Sequence, residues 1–199
     1  LRKERARVRE YTSAALCSRE RYTHGRFAAV VQSASAPGLV TGIFLHRNAP
    51  RQEIDIELLG KDTTKMLVNV YYNAGSEGAR MEYGYRGTPM LIDLGFDAAK
   101  DFHEYAIEWN SMSIRWLVDG EVVYERGNWD PTPIPHLPMN FNVNLWCSRS
   151  EQLAGQLNDR DLPAHTDIEE LAIDGASVSA AALGAKINSI GVTSEAIIG

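Results

Sequence analysis

The feature that most constrains the fold is a series of short apolar or alternating runs separated by turn residues. Alternation with a period of two is typical of half-buried strands, and short strands at regular spacing indicate an all-β sandwich or barrel. About ten strands are more than one ordinary sheet holds, so two packed sheets are predicted. The predicted strands are 27–32, 39–46, 53–59, 66–72, 81–85, 105–109, 113–118, 121–124, 139–145 and 168–173.

The sharpest local signal is a hairpin between two of these strands. The run 114–118 (IRWLV) is followed by Asp119-Gly120 and then by 121–124 (EVVY). Asp-Gly readily adopts the positive φ angles of a two-residue turn, so a tight hairpin is predicted. The segment 128–138 contains four prolines, which cannot donate to a strand ladder, and it is predicted to be an irregular loop.

The size of the chain indicates one main domain. Its 199 residues are 44% hydrophobic, which is enough for one full core but not for two large domains. We expect that domain over residues 1–175. The C-terminal tail 176–199 has no clear period, and its sequence leaves open whether it packs on the domain or is poorly ordered.

The charge excludes one class of partner. A net charge of −6 argues against a general nucleic-acid binder, which needs a basic face to neutralise phosphates. The first ten residues are nevertheless basic. A solvated edge strand accounts for them, because charge on an edge blocks strand addition, and a polyanion-binding stripe is the alternative. These residues are Arg2, Lys3, Arg5, Arg7 and Arg9.

Cysteine and histidine usage excludes further classes. Two cysteines, Cys17 and Cys147, and scattered histidines without an HExxH motif predict neither a disulfide framework nor a zinc site. Whether the cysteines pair stays open. No run of about 18 apolar residues occurs, so no ordinary membrane span is predicted. The chain shows no signal peptide, but it starts at Leu1, so a processed or truncated N-terminus is expected.

The segment 53–57 (EIDIE) carries the clearest chemical signal. Strand side chains alternate, so Glu53, Asp55 and Glu57 share one face and the two isoleucines share the other. The Cα atoms of Glu53 and Glu57 are about 13 Å apart in a strand. Side chains leaning inward approach the roughly 5–5.5 Å carboxyl separation of a retaining glycosidase. Three like charges so close raise at least one pKa, although the pattern alone also fits a solvated acidic face.

With its flanking residues, the segment 53–65 (EIDIELLGKDTTK) closely resembles the signature of glycoside hydrolase family 16, especially its bacterial lichenase-like members. The resemblance extends over residues 11–173. The further matching segments are 18–22 (SRERY), 25–27 (GRF), 68–73 (VNVYYN), 93–97 (DLGFD), 101–105 (DFHEY), 107–109 (IEW), 114–120 (IRWLVDG) and 139–146 (MNFNVNLW).

This resemblance implies a concanavalin-like jelly-roll sandwich of two antiparallel sheets with a concave glycan cleft. Glu53 matches the nucleophile, Glu57 the general acid/base and Asp55 the assisting carboxylate. The implied function is retaining, endo-acting hydrolysis of a β-1,3-1,4 or β-1,3 glucan or a related polysaccharide. We expect no required cofactor, a monomer, and an extracellular or periplasmic location.

Substrate-binding side chains are expected beside the carboxylates. Sugar rings stack on aromatic faces and their hydroxyls need amide partners, so Tyr22, Asn69, Tyr71 and Trp146 are the candidates, against the alternative of core or rim aromatics. The remaining aromatic positions of note have structural interpretations. Trp109 and Trp116 are predicted core residues, and His103 a structural histidine.

The resemblance also suggests a structural calcium ion. Its ligands would include a carbonyl oxygen near Gly38 and the carboxylate of Asp167. Two positions are short of the six to eight oxygen ligands that calcium usually takes.

The sequence departs from the lichenase-like pattern at three places. A tryptophan common just before the nucleophile is absent from 49–53 (APRQE), where Arg51 is the replacement, and a second cleft tryptophan is absent from 151–155 (EQLAG). Both differences concern which glucan linkage is bound. Family domains also have earlier strands than this chain shows, and the C-terminal tail is a candidate to take their place.

Three other functions remain open from the sequence. A transglycosylase would use the same carboxylates, with a sugar hydroxyl intercepting the intermediate in place of water. A non-catalytic carbohydrate-binding jelly roll would keep the sandwich without turnover, and would have no need of all three carboxylates. A polyanion-binding module would use the basic N-terminus and would bind less tightly as salt increases.

Overall fold

The computed structural model describes residues 11–75 and 87–174, together with the backbone of a strand at 176–179. The described elements are two antiparallel sheets and very little helix. The strands are β1 Ala15–Tyr22, β2 Gly25–Gln32, β3 Leu39–Asn48, β4 Arg51–Leu59, β5 Lys65–Tyr71, β6 Met90–Asp93, β7 His103–Trp109, β8 Ser113–Val118, β9 Glu121–Gly127, β10 Met139–Cys147, β11 Asp167–Ile173 and β12 Ala176–Ser179. The short helix α1 spans Glu151–Ala154, and a 3-10 turn spans Asp159–Asp161.

The strands form two six-stranded sheets. The front sheet has the order β1-β10-β3-β4-β5-β6, and the back sheet has the order β12-β11-β2-β7-β8-β9. This is the predicted all-β jelly-roll sandwich. Because β4 lies between β3 and β5, its outward-facing side chains stand in the middle of the front sheet and not at an edge.

The core lies between the inner faces of the sheets. The inward side chains of β4 are the fully buried Ile54, Ile56 and Leu58, and they meet aromatic residues of the back sheet in one cluster. Trp109 and Trp116 are 2% and 0% exposed, which confirms their prediction as core residues. The Trp116 indole nitrogen donates to the backbone oxygen of Asp55 at 3.0 Å, so a back-sheet side chain fixes the centre of β4.

Three elements differ from the sequence prediction. β1 and β6 were not predicted, because β1 is a largely polar strand and β6 is a short exposed one at the opposite edge of the front sheet. Edge strands bury little, so they carry little apolar alternation. β12 pairs with β11, which extends the back sheet into the segment predicted as a tail. The predicted strand 81–85 and the basic residues 2–9 lie outside the described residues.

The irregular proline-rich loop is present as predicted, and buried polar side chains hold it against the start of β4. The Gln52 side-chain oxygen accepts from the amides of His136 and Leu137 at 2.9 and 3.1 Å. The Arg47 guanidinium donates to the backbone oxygen of Pro138 at 3.0 Å, and the Trp109 indole donates to that of Pro135 at 2.9 Å. These bonds give partners to backbone amides and carbonyl oxygens of a loop that has no strand ladder.

The two cysteines are too far apart to pair. Cys17 lies opposite Asn142 in the register of β1 and β10, and Cys147 is five residues further along β10. Five strand residues span roughly 16 Å, well beyond the Cα separation that a disulfide allows.

The predicted hairpin forms with Asp119 and Gly120 at φ of 50° and 83°. Left-handed backbone is costly for residues with a Cβ atom, by about 1–2 kcal/mol. We therefore expect Gly120→Ala to lower the free energy of unfolding by about 1 kcal/mol in urea denaturation. Gly127→Ala is the matched control, because Gly127 has no positive φ and an added Cβ would lie 4.0 Å from the Met112 backbone oxygen. Equal effects of the two substitutions would contradict the turn assignment.

Candidate active site

Strand β4 places the three acidic side chains on the outer face of the front sheet, as the alternation predicts. Each carboxylate has neighbours on both adjacent strands. Glu53 lies opposite His46 and Tyr71, Asp55 opposite Phe44 and Asn69, and Glu57 opposite Gly42 and Leu67. The three acids therefore form one line across a row of aromatic, amide and small residues.

Burial separates the protonation behaviour of these acids. Asp55 is 3% exposed, and burial, with the nearby charges of Glu53 and Glu57, raises its pKa well above the ordinary value. Burial and the charge of Glu53 raise the pKa of Glu57 to about 7. Desolvation disfavours a charged carboxylate and a neighbouring like charge does the same. These effects favour the protonated forms of both acids, and a pKa of about 7 leaves about half of Glu57 protonated at neutral pH.

Glu53 has a cationic partner. The Nε and Nη2 atoms of Arg51 both donate to Glu53 Oε2, at 2.8 and 2.5 Å. The Arg51 guanidinium carbon also lies 3.8 Å from the centre of the Tyr71 ring. Arg51, Glu53 and Tyr71 therefore form one stacked and ion-paired unit.

The imidazole beside Glu53 does not add a second positive charge at neutral pH. His46 lies opposite Glu53 on β3 and is 6.3 Å from the Phe44 ring, centre to centre. Burial lowers the pKa of His46, although the charge of Glu53 acts in the opposite direction. A neutral imidazole at this position can donate one hydrogen bond and accept one.

Two of the predicted substrate-binding residues lie directly beside the carboxylates. Tyr71 faces Glu53, and Asn69 faces Asp55. Asn69 is buried, its side-chain oxygen accepts from the Val70 amide at 3.0 Å, and Gly87 approaches it so closely that an added Cβ would lie 2.6 Å from the Asn69 Oδ1 atom. Both side chains are thus on the acidic face and held in place.

Trp146 and Tyr22 occupy different surroundings. Trp146 pairs with Val40, two residues beyond the pair of Asn144 and Gly42 on the same face of the sheet. It packs with Val40, Leu59 and residues of α1. Tyr22 pairs with Met139, which is buried, and its ring lies edge-on to Phe27 at 5.2 Å. The structure therefore packs Tyr22 against the core and does not bring it to the carboxylates.

β10 contributes a row of side chains that sequence reasoning did not assign. Asn140, Asn142 and Asn144 alternate with apolar residues of β10, and they lie opposite His46, Phe44 and Gly42. Asn144 is buried, and its Oδ1 atom has no hydrogen-bond partner among the described residues. An added Cβ on Gly42 would lie 2.5 Å from that atom. The Asn-x-Asn-x-Asn alternation was the available signal.

The two predicted calcium ligands lie just before β3 and at the start of β11. The Gly38 carbonyl oxygen accepts from the Ser148 amide at 2.9 Å, and Asp167 is exposed. Within residues 11–75 and 87–174, no group of three or more acidic, histidine or cysteine side chains could hold a metal ion. The calcium site stays a prediction.

His103 has the structural role that its sequence context predicted. Its ring stacks on Phe96 with centres 3.8 Å apart, and its Nδ1 atom is 2.7 Å from Asp119 Oδ2.

Among the helices that the structure describes, none is long and apolar enough to cross a membrane.

Comparison with known proteins agrees with this architecture. The family model of Glycosyl hydrolases family 16 matches residues 3–161. A beta-glucanase of Brevibacillus brevis is 34% identical over 150 residues, which are 72% of this chain and 52% of that protein. A beta-glucanase of Bacillus subtilis is 36% identical over 129 residues, 63% of this chain and 48% of that protein. The chain spans about half the length of these curated relatives.

Solved structures share the sandwich. A beta-glucanase of Bacillus licheniformis superimposes with a TM-score of 0.64 at 30% identity, over 80% of this chain and 68% of that one. A prokaryotic beta-1,3-1,4-glucanase (lichenase) from a mouse hindgut metagenome gives a TM-score of 0.67 at 30% identity, over 81% and 71%. The family model covers most of the sequence and includes the whole acidic strand, so the chain belongs to glycosyl hydrolase family 16.

Proposed function

We propose that this protein is a retaining endo-β-glucanase, in which Glu53 is the nucleophile and Glu57 the general acid/base. The observation that carries the proposal is the difference in surroundings between the two glutamates of β4. Glu53 is ion-paired with Arg51, whereas the pKa of Glu57 is raised to about 7 by burial and by Glu53. A retaining glycosidase needs an ionised nucleophile and a protonated acid at the same pH.

The chemistry follows from these two states. In the first step, Glu57 gives its proton to the glycosidic oxygen, the bond from that oxygen to the anomeric carbon breaks, and a Glu53 oxygen bonds to the anomeric carbon. In the second step, Glu57 takes a proton from water, the water oxygen attacks the same carbon, and the bond to Glu53 breaks with its electron pair returning to the carboxylate. Two inversions give net retention.

Asp55 assists without reacting. It is buried between the other two acids, and its carboxyl group interacts with that of Glu53 through a hydrogen bond. The raised pKa of Asp55 favours Asp55 as the proton donor in that hydrogen bond. In that role it orients Glu53 for attack on the anomeric carbon.

The proposed substrate is a β-1,3-1,4 or β-1,3 glucan. The relatives at 34% and 36% identity are named beta-glucanases, and a neutral glycan suits a face lined by Tyr71, Asn69 and the asparagines of β10. Aromatic faces and amide groups are the usual partners of sugar rings and hydroxyls. We also propose an extracellular or periplasmic monomer, in keeping with a polymeric substrate.

The alternative reactions differ in their products. A transglycosylase would transfer the glycosyl group to an added oligosaccharide, and a binding jelly roll would retain the glycan without releasing reducing ends. Incubation with barley β-glucan, laminarin and carboxymethyl cellulose, with and without an oligosaccharide acceptor, separates these outcomes when the products are mapped. Hydrolysis in the presence of acceptor, with the β-anomer formed first in NMR spectra, supports the proposal.

The first prediction concerns the nucleophile. We expect Glu53→Gln to abolish hydrolysis of the glucan that the wild type cleaves, because an amide cannot form the glycosyl ester, while glycan binding remains. Glu57→Gln should lower kcat roughly 10²-fold to 10⁴-fold on the same polymer. Reducing-end release and affinity electrophoresis measure both properties. Near-normal turnover by Glu53→Gln would exclude Glu53 as nucleophile.

The second prediction concerns pH. Because the acid must be protonated and its pKa is about 7, kcat/KM should fall about tenfold per pH unit above pH 7. The profile of wild-type hydrolysis from pH 5 to 9 checks this. A plateau that extends to pH 9 would show that Glu57 does not act as the acid.

The third prediction tests the Glu57 environment without substrate. Its pKa is about 7 in the folded protein against an ordinary value of 4.5, so protonation favours folding and this contribution is lost as the pH rises through 7. Glutamine imitates the protonated acid. Glu57→Gln should therefore raise the free energy of unfolding by up to about 3 kcal/mol at pH 8 and by less than about 1 kcal/mol at pH 5.

Glu108→Gln on the outer face of the back sheet is the control for that experiment. Glu108 is ion-paired with Arg26 and Arg115, so its loss should not stabilise the protein at pH 8. Urea denaturation at both pH values gives the comparison. A Glu57→Gln effect that is the same at pH 5 and pH 8 would contradict the raised pKa.

A further inference from the structure

We propose that Arg51 is a positioning residue that acts through Glu53, making Glu53 a weaker nucleophile in the first step and a better leaving group in the second. Arg51 would thereby keep the glycosyl-enzyme from accumulating. This inference rests on the proposed function, and it concerns the position where the sequence has arginine in place of the tryptophan expected from the family resemblance.

The geometry is that of a directed ion pair. Both Arg51 donors reach the same carboxylate oxygen, Oε2, at 2.8 and 2.5 Å. The Glu53 side chain is 12% exposed and that of Arg51 is 40% exposed. The side chains of an exposed ion pair usually sample several conformations. Here Glu53 is mostly enclosed, and the Arg51 guanidinium carbon lies 3.8 Å from the centre of the Tyr71 ring.

The charge on Glu53 changes in each chemical step. When its oxygen bonds to the anomeric carbon, the carboxylate becomes a neutral ester and Arg51 loses its ionic partner. When water displaces that ester, the electron pair returns to Glu53 and the ion pair forms again. A fixed cation stabilises the state in which the charge exists. Arg51 therefore favours the free enzyme over the glycosyl-enzyme and favours departure of Glu53.

Several other titratable groups surround Glu53 besides Arg51. The titratable and charged groups facing Glu53 are Asp55, Glu57 and Arg51 on β4, His46 on β3 and Tyr71 on β5. Burial raises the pKa of Asp55 and of Tyr71, and it lowers the pKa of His46. Arg51 is thus the permanent positive charge in this group.

The test uses pre-steady-state kinetics of full-length protein. The substrate is a 4-nitrophenyl β-glycoside of a glucan oligosaccharide that carries the linkage cleaved in the polymer, because release of 4-nitrophenolate reports formation of the glycosyl-enzyme. The variants are Arg51→Met, which removes the charge but keeps an unbranched side chain, and Arg51→Lys, which keeps the charge but loses the forked and stacked contacts.

Arg115→Met is the matched control. Arg115 pairs with Glu108 on the outer face of the back sheet, and their side chains are 45% and 25% exposed. Arg115→Met removes a partly exposed ion pair that does not involve Glu53, Asp55 or Glu57. Thermal denaturation of all variants checks that they are folded. If Arg51→Met does not fold, Arg51→Lys still tests the proposal.

We expect Arg51→Met to give a larger burst of 4-nitrophenolate than the wild type, followed by a steady-state rate about tenfold lower. The acid limb of its kcat/KM profile should move up by about one pH unit or more, because loss of an opposite charge makes a carboxylate easier to protonate. Arg51→Lys should be intermediate, and Arg115→Met should match the wild type.

The two levels of the proposal fail differently. If the wild type hydrolyses the glycoside but both Arg51 variants show its burst amplitude and acid limb, the role of Arg51 is overturned while the proposed function stands. A smaller burst in Arg51→Met also overturns it, because Arg51 would then promote the first step. If the wild type releases no 4-nitrophenolate and no reducing ends from any glucan, both proposals are overturned.

Discussion

The alternation of side chains along β4 is the constraint on which the rest of the structure depends. Ile54 and Ile56 must enter the core, and this places Glu53, Asp55 and Glu57 together on the opposite face. A slip of one residue would bury three carboxylates and expose the isoleucines, so the apolar side of the strand enforces the register of the acidic side. The bond from Trp116 to the Asp55 backbone fixes the same strand from below.

The site is reactive because the face that carries the acids is itself partly enclosed. Burial makes negative charge costly, and this raises the pKa of Asp55 and of Glu57. The ion pair with Arg51 offsets the same cost at Glu53. The surroundings therefore distinguish acids of the same kind on one strand, because Glu53 has a cationic partner and Glu57 has a raised pKa.

The surroundings of β4 keep this arrangement rigid. Gln52 and Arg47 bind the proline-rich loop to the beginning of the strand through buried hydrogen bonds. Breaking such bonds leaves buried polar groups without partners, so these bonds hold the loop against the strand. Gln52 therefore has a structural role, whereas its two sequence neighbours, Arg51 and Glu53, face the site.

The sequence by itself determined the sandwich, the acidic line, the Asp119-Gly120 hairpin and the buried tryptophans, because period-two alternation and turn chemistry are local properties of the chain. The tertiary structure decided what depends on cross-strand register between distant segments. It stacked Arg51 on Tyr71, brought Asn144 against Gly42, turned Tyr22 toward Phe27, and paired the polar edge strand β1. No local pattern encodes which residue of one strand lies opposite which residue of another, since that register is set by how the two inner faces pack.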